Sequence, residues 1–267
     1  MIMISPWIAA ICAVFAWWFF TGAILFAVRK SDAGNAVAHG RSVVLAVPML
    51  ALGFAGLVVS AGTVSVLNVY MAFLSALMVW GWVELAFLAG IITGPERRPC
   101  PAGLVGRARF IRAWRTVAHH ELLLLAAFIG VIGATWGGSN IIGPATFGVL
   151  FGARISAKLN LFYGVPRINT EFVPQPLAHM TSYFRMGGVT PAFPIGIGFL
   201  TVLILWCATG LTSAATPADA TGFALLTAMA TLAAIEHALM VIPLPDAKLW
   251  RWMLPAPTTT TGKSNEL

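Results

Sequence analysis

Six ionisable side chains stand inside otherwise apolar stretches of the chain. Glu84 lies in the run 66–92, His119, His120 and Glu121 open the run 117–136, and Glu236 and His237 lie in the run 221–244. A charged group in the hydrocarbon of a bilayer costs roughly 3 kcal/mol or more, so such residues face a partner or a functional cavity. Imidazole and carboxylate together suit three chemistries. They hold a divalent metal such as iron or zinc, with outer carboxylates fixing the histidine tautomer. One imidazole serves as the axial ligand to the central metal of a tetrapyrrole. Or they form a network of ion pairs and hydrogen bonds with no ligand at all. The candidate cofactor-binding residues are His119, His120, His237, Glu84 and Glu236; the candidate metal ligands are His119, His237, Glu84, Glu236 and Glu121.

The helices that carry these groups follow from composition. Of 267 residues, 59% are hydrophobic and 9% charged, against about 25% charged in soluble domains. The chain reads as an all-α, polytopic integral membrane protein. Seven segments have the roughly 20 mostly apolar residues that a span needs: about 6–28, 43–61, 66–92, 117–136, 141–163, 193–210 and 221–244. The fifth is the most polar, and its Arg154 and Lys158 are expected to snorkel toward the headgroups.

The net charge of +7 belongs to topology, not to nucleic acid. With seven spans, all 16 Lys and Arg fall on one side. Arg29, Lys30 and Arg41 follow span 1, and Arg97 to Arg115 separate spans 3 and 4. Arg154, Lys158, Arg167 and Arg185 lie at or beyond the end of span 5; Lys248, Arg251 and Lys263 follow span 7. Basic residues collect on the cytoplasmic side, which puts the N-terminus in the periplasm and the C-terminus in the cytoplasm. The apolar run near the N-terminus is too long for a cleavable signal core. Cys12, Cys100 and Cys207 are scattered and support neither a disulfide framework nor a thiolate metal site.

Counted along each helix, Glu84, Glu236 and the His119–Glu121 group share the cytoplasmic third of the bilayer. His119 is in register with Ala126, Gly130, Gly133 and Gly137, a small-residue stripe expected to pack on another helix. His237 is in register with Ala234, Ala230 and Thr227, a second such stripe. His120 is turned about 100° from His119, and Glu121 about 200°, toward headgroup water.

Two connections are long enough to matter. The segment 93–116 interleaves Arg107, Arg109, Arg112 and Arg115 with Phe110, Ile111 and Trp114, the pattern of a helix lying in the interface and anchored to lipid phosphates. The segment 164–192 is broken by Pro166, Pro174 and Pro176. Asn160, Asn169, Glu171 and His179 stand in and before it, suiting a lid over the polar layer. The tail 255–267 is polar and reads as disordered.

No catalytic signature accompanies these groups. Neither Glu121 nor Glu236 has a histidine three residues on, as carboxylate di-iron bundles require. His-Glu-x-x-His, Gly-x-Ser-x-Gly and phosphate-binding glycine loops are missing.

The loop Asn160–Tyr183, with Arg109-Phe110 leading into His119-His120-Glu121, Pro99-Cys100-Pro101 and Glu236-His237, resembles the PuhE family over nearly the whole chain. That resemblance implies a multi-pass inner-membrane protein that helps assemble the reaction-centre and light-harvesting complex, or supplies bacteriochlorophyll to it. Its implied partners are lipids, complex subunits and pigment-synthesis enzymes. A membrane metalloenzyme acting on a pigment precursor or a lipid is the alternative, and a proton-coupled transporter the second.

Overall fold

A computed structural model describes residues 5–34 and 37–243; the tail 255–267 and the basic residues Lys248, Arg251 and Lys263 lie outside the described residues. The chain runs α1 (Pro6–Asp32), α2 (Ala38–Leu45), α3 (Val47–Ala61), α4 (Val66–Leu88), α5 (Gly106–Ala134) and α6 (Ile142–Tyr163). Two 3-10 segments (Thr170–Phe172 and Gln175–Tyr183), α7 (Ala192–Thr212) and α8 (Pro217–Leu239) complete it. One isolated bridge, Val165 to Met186, is the sole β pairing among the described residues.

Six helices are long and apolar enough to cross a membrane: α1, the pair α2–α3 taken together, α4, α5, α7 and α8. The α2–α3 pair breaks at Ala46 because Pro48, near the start of α3, has no N–H to offer the preceding turn. The helix α6 has 22 residues but carries Arg154 and Lys158, and so falls outside that apolar set.

The innermost helix is α4. Over its apolar window 67% of residues are buried, against 28% for α5 and 22% for α1. It packs against α1, α3, α5, α6 and α8, and its Val69, Phe73, Val79 and Val83 are all but inaccessible. A central helix buried all round reads as continuously apolar, so Glu84 within it demands a partner.

The short connections meet at one end of the bundle. Asn140 donates from its side-chain amide to the carbonyls of Ser60 and Asn68, both at 3.0 Å. The two long connections meet at the other end. Arg109 donates to the backbone carbonyls of Phe162 (3.2 Å) and Tyr183 (2.6 Å), while its guanidinium lies 4.1 Å from the Phe162 ring centre. Arg112 pairs with Glu96 at 3.2 Å. Two of the four arginines expected to anchor lipid are therefore turned onto the protein's own backbone and acid, while Arg107 and Arg115 stay exposed.

The expected interfacial helix is also revised. Residues 106–134 form one unbroken helix, so the basic turns are the lower part of α5 itself. The 89–96 segment folds beside them. Gly90, at φ +72°, terminates α4, and a side chain there would meet Pro176 Cβ at 2.4 Å. Beyond it the His120 N–H donates to the Thr93 carbonyl (2.9 Å) and the Glu96 N–H to the Arg115 carbonyl (3.1 Å).

Candidate functional site

The polar groups converge on two turns of α6. Arg154 and Lys158 are one turn apart, which puts both side chains on the same helix face. Ser156 is rotated about 200° from Arg154 and addresses the other side. The first face meets α4 and α5, the second meets α8.

On the first face, Arg154 Nη2 donates to Glu84 Oε2 at 2.9 Å. Lys158 Nζ donates to Glu121 Oε1. Both acids are buried, Glu84 at 7% and Glu121 at 8% exposure. Between the pairs lies His120, fully buried, its ring stacked on Phe87 at 4.1 Å between centres. Its Nε2 is 3.7 Å from Glu84 Oε1, beyond hydrogen-bond range. Two acids thus balance two bases, the arrangement in which charges survive burial.

On the second face, His237 Nδ1 lies 2.8 Å from the Ala233 carbonyl and Nε2 lies 2.9 Å from Ser156 Oγ. A carbonyl only accepts, so Nδ1 donates to it, while Nε2 is hydrogen-bonded with the Ser156 hydroxyl. Both ring nitrogens are engaged. Asn160, buried one turn on, donates to the Ser156 carbonyl at 3.0 Å.

The sequence-based facing of α5 is corrected here. His119 is exposed, as are Ala126, Gly133 and Gly137, and of that small-residue stripe Gly130 lies against another helix, at Phe54 of α3. The buried stripe is His120, Leu124, Ala127 and Val131, with Glu121 beside it. Leu124 and Val131 are the bulkier residues, and burying them removes more apolar surface than burying glycines would. Glu236 also faces outward, where the Trp17 side chain hydrogen-bonds to it. Arg154 and Lys158, expected to snorkel, instead bend inward to the acids. Sequence reasoning missed α6 as the hub, although the four-residue spacing of two cations opposite two intramembrane acids was its signal.

The donor set does not fit a metal ion. Glu84 and Glu121 are taken by cations, both His237 nitrogens by hydrogen bonds, and His119 and Glu236 lie on outer surfaces. Among the described residues no three His, Cys, Asp or Glu side chains converge as a metal site requires.

A cleft of about 500 Å³ opens beside the charged face. Its walls are Leu122 and Leu125 of α5 and Phe151, Ile155 and Leu159 of α6; Arg154, Lys158 and Glu121 reach its lining. The 164–191 connection closes one end through Phe172, Leu177, Met180 and Tyr183. Leu177 and Met180 pack on Phe87, tying that connection to the helix that carries Glu84. Of the four residues singled out around the loop, Asn169 lines the cleft, Glu171 is exposed, Asn160 belongs to the α6 face and His179 lies toward Glu96.

Burial, and then the Arg97 charge, hold the His179 pKa below the ordinary imidazole value. A hydrogen bond from the Arg98 N–H, helped by Arg112, holds Glu96 below the usual carboxylate range. Both shifts mean that the folded loop binds protons less readily than the unfolded one, so acid weakens it. Its packing should be intact above pH ~6.5 and loosen progressively below that, first through His179 and then, in stronger acid, through Glu96. Amide protection across 164–191, corrected for intrinsic exchange at each pH, is expected to fall as the pH drops below about 6.5, and the fall to shrink in His179→Asn. Equal pH sensitivity in that variant would remove His179 as the cause.

With this geometry in hand, the relatives can be placed. A family described as "Protein of unknown function (DUF3623)" matches residues 3–261. The chain belongs to this family. It is 47% identical over 254 residues to a Rhodobacter capsulatus protein named "Uncharacterized 30.4 kDa protein in puhA 5'region", covering 95% of this chain and 93% of that protein. No solved structure matches the chain. Membership in the DUF3623 family carries no residue roles, so the site rests on its own geometry.

Proposed function

We propose that the chain is an assembly factor for the photosynthetic reaction-centre and light-harvesting complex, of the PuhE kind. The observation that carries this reading is the 47% identical Rhodobacter capsulatus relative whose name places it in the puhA 5' region. In this reading the protein crosses the bacterial inner membrane seven times, α6 included, with its N-terminus in the periplasm and its C-terminus in the cytoplasm. Its partners are the subunits of that complex or the enzymes that make its pigment.

The geometry favours holding over catalysis. The buried acids are neutralised by Arg154 and Lys158, and His237 has both ring nitrogens engaged. Two acids matched to two cations form a charge-balanced network, which suits holding better than acid–base or nucleophilic chemistry. Among the described residues no three donor side chains converge as a metalloenzyme requires, and a proton-coupled carrier would have to work without Glu84 and Glu121, which are held by cations.

Deletion of the gene from its phototrophic host tests the reading. The expected result is a several-fold fall in near-infrared absorbance of assembled complex under phototrophic growth, restored by the intact gene. Full complex levels in the deletion strain would refute it.

A further inference from the structure

The cleft between α5 and α6 has a feature that the assembly role does not require: an apolar body that ends on unsatisfied cationic donors. Its open edge is aliphatic and faces away from the bundle, with Leu122 59%, Leu125 44%, Ile155 37% and Leu159 37% exposed. In the seven-span reading, with α6 in the bilayer, this edge borders lipid and a molecule enters sideways from the membrane. The closed end is walled by the 3-10 turns, where Leu177, Met180 and Tyr183 are buried. A volume of about 500 Å³ lies within the usual range for small-molecule pockets, roughly 300–1,000 Å³.

The charged residues that reach the lining are Arg154, Lys158 and Glu121, two cations to one acid, because Glu84 sits behind the wall. Arginine has five N–H donors and lysine three. Arg154 gives Nη2 to Glu84 and Lys158 gives Nζ to Glu121. Arg154 Nε is buried without any hydrogen-bond partner. That nitrogen is sealed from the cleft; the donors offered there are the remaining N–H groups of Arg154 and Lys158, which suit an anionic acceptor.

The geometry points to a binding site for one membrane amphiphile with an acidic head, carboxylate or phosphate, and an apolar body. Its head meets Arg154 and the free N–H groups of Lys158, and its body fills the space between Phe151, Leu125 and Phe172. This inference goes beyond the assembly role and stands without it.

The test uses the full chain in neutral detergent with a photoactivatable palmitate as probe, attachment sites being mapped by mass spectrometry. Labelling is expected to saturate and to concentrate on α5, α6 and residues 168–184. Excess oleate should suppress it about tenfold better than oleyl alcohol, the difference being one charge-assisted hydrogen bond or more. Oleyl phosphate competing as well as oleate would extend the acceptor to phosphate, and its failure would restrict it to carboxylate. Ala113→Phe, which fills the cleft from α5, and Leu125→Trp at its edge should each lose the saturable labelling; either suffices if the other fails to fold. Labelling spread evenly over the outer faces of α1, α3 and α7, unchanged in these variants, would mean annular lipid only and overturn the site. Oleyl alcohol competing as well as oleate would overturn the acidic head.

Discussion

Arg154→Ala is expected to lower the unfolding free energy by about 3 kcal/mol, and Glu84→Gln, Arg154→Gln together to cost less than that single change. The asymmetry comes from what each variant leaves behind. Without Arg154, the Glu84 carboxylate stays on the most buried helix, its side chain 9% exposed. Its other oxygen already lacks a hydrogen bond, and the His120 ring stands at 3.7 Å. An ion stranded there loses its counter-charge and gains no water. Glu84→Gln alone strands Arg154, but that side chain is 33% exposed and its long stem lets the guanidinium swing outward. The expected order of damage is therefore Arg154→Ala, then Glu84→Gln, then the double variant. Unfolding in mixed micelles, read by circular dichroism, gives the three values. Equal losses for Arg154→Ala and the double variant would show that Glu84 is not held by this pair.

Hydropathy made the helices legible because burial in lipid depends on length and composition alone. The runs 6–28, 193–210 and 221–244 overlay α1, α7 and α8 to within a turn or so. Ends were less visible. The run 66–92 stays apolar to Ile92, but Gly90 at φ +72° stops α4 at Leu88. The run 117–136 seemed to begin where the arginines stop, yet α5 starts at Gly106 because charge does not interrupt a helix.

Facing was the harder part, and His119 shows why. A small-residue stripe packs against a helix only if some helix lies there, and neighbours are a tertiary fact. Around α5 they lie on the Leu124 and Val131 side, so of the three candidates His120 and Glu121 are buried and His119 is not. The pairing partners were hidden differently. Arg154 and Lys158 look like terminal snorkellers along α6 alone, and only the approach of α4 and α5 makes inward pairing the lower-energy choice.

The insertion of residues 93–96 against α5 was invisible in the sequence, and Gly94→Ala exposes how much rests on it. A methyl at Gly94 would sit 2.1 Å from the Arg115 carbonyl oxygen and 2.7 Å from the Thr116 carbonyl carbon. Both are helix backbone, which cannot rotate away as a side-chain tip can, so the segment itself must move. Movement breaks the flanking hydrogen bonds from His120 N–H to Thr93 and from Glu96 N–H to Arg115, each worth about 1 kcal/mol. With the overlap itself adding about 1–3 kcal/mol, the total loss is expected near 3 kcal/mol or above. Because His120 hangs from that contact, faster amide exchange at residues 117–121 should accompany the loss. Gly133→Ala is the matched control. It lies in the same helix, meets nothing within 4 Å, and should be neutral or gain up to about 1 kcal/mol from better helix propensity. If Gly94→Ala unfolds at the same point as Gly133→Ala, residues 93–96 do not press on α5, and His120 is placed by packing against Phe87 alone.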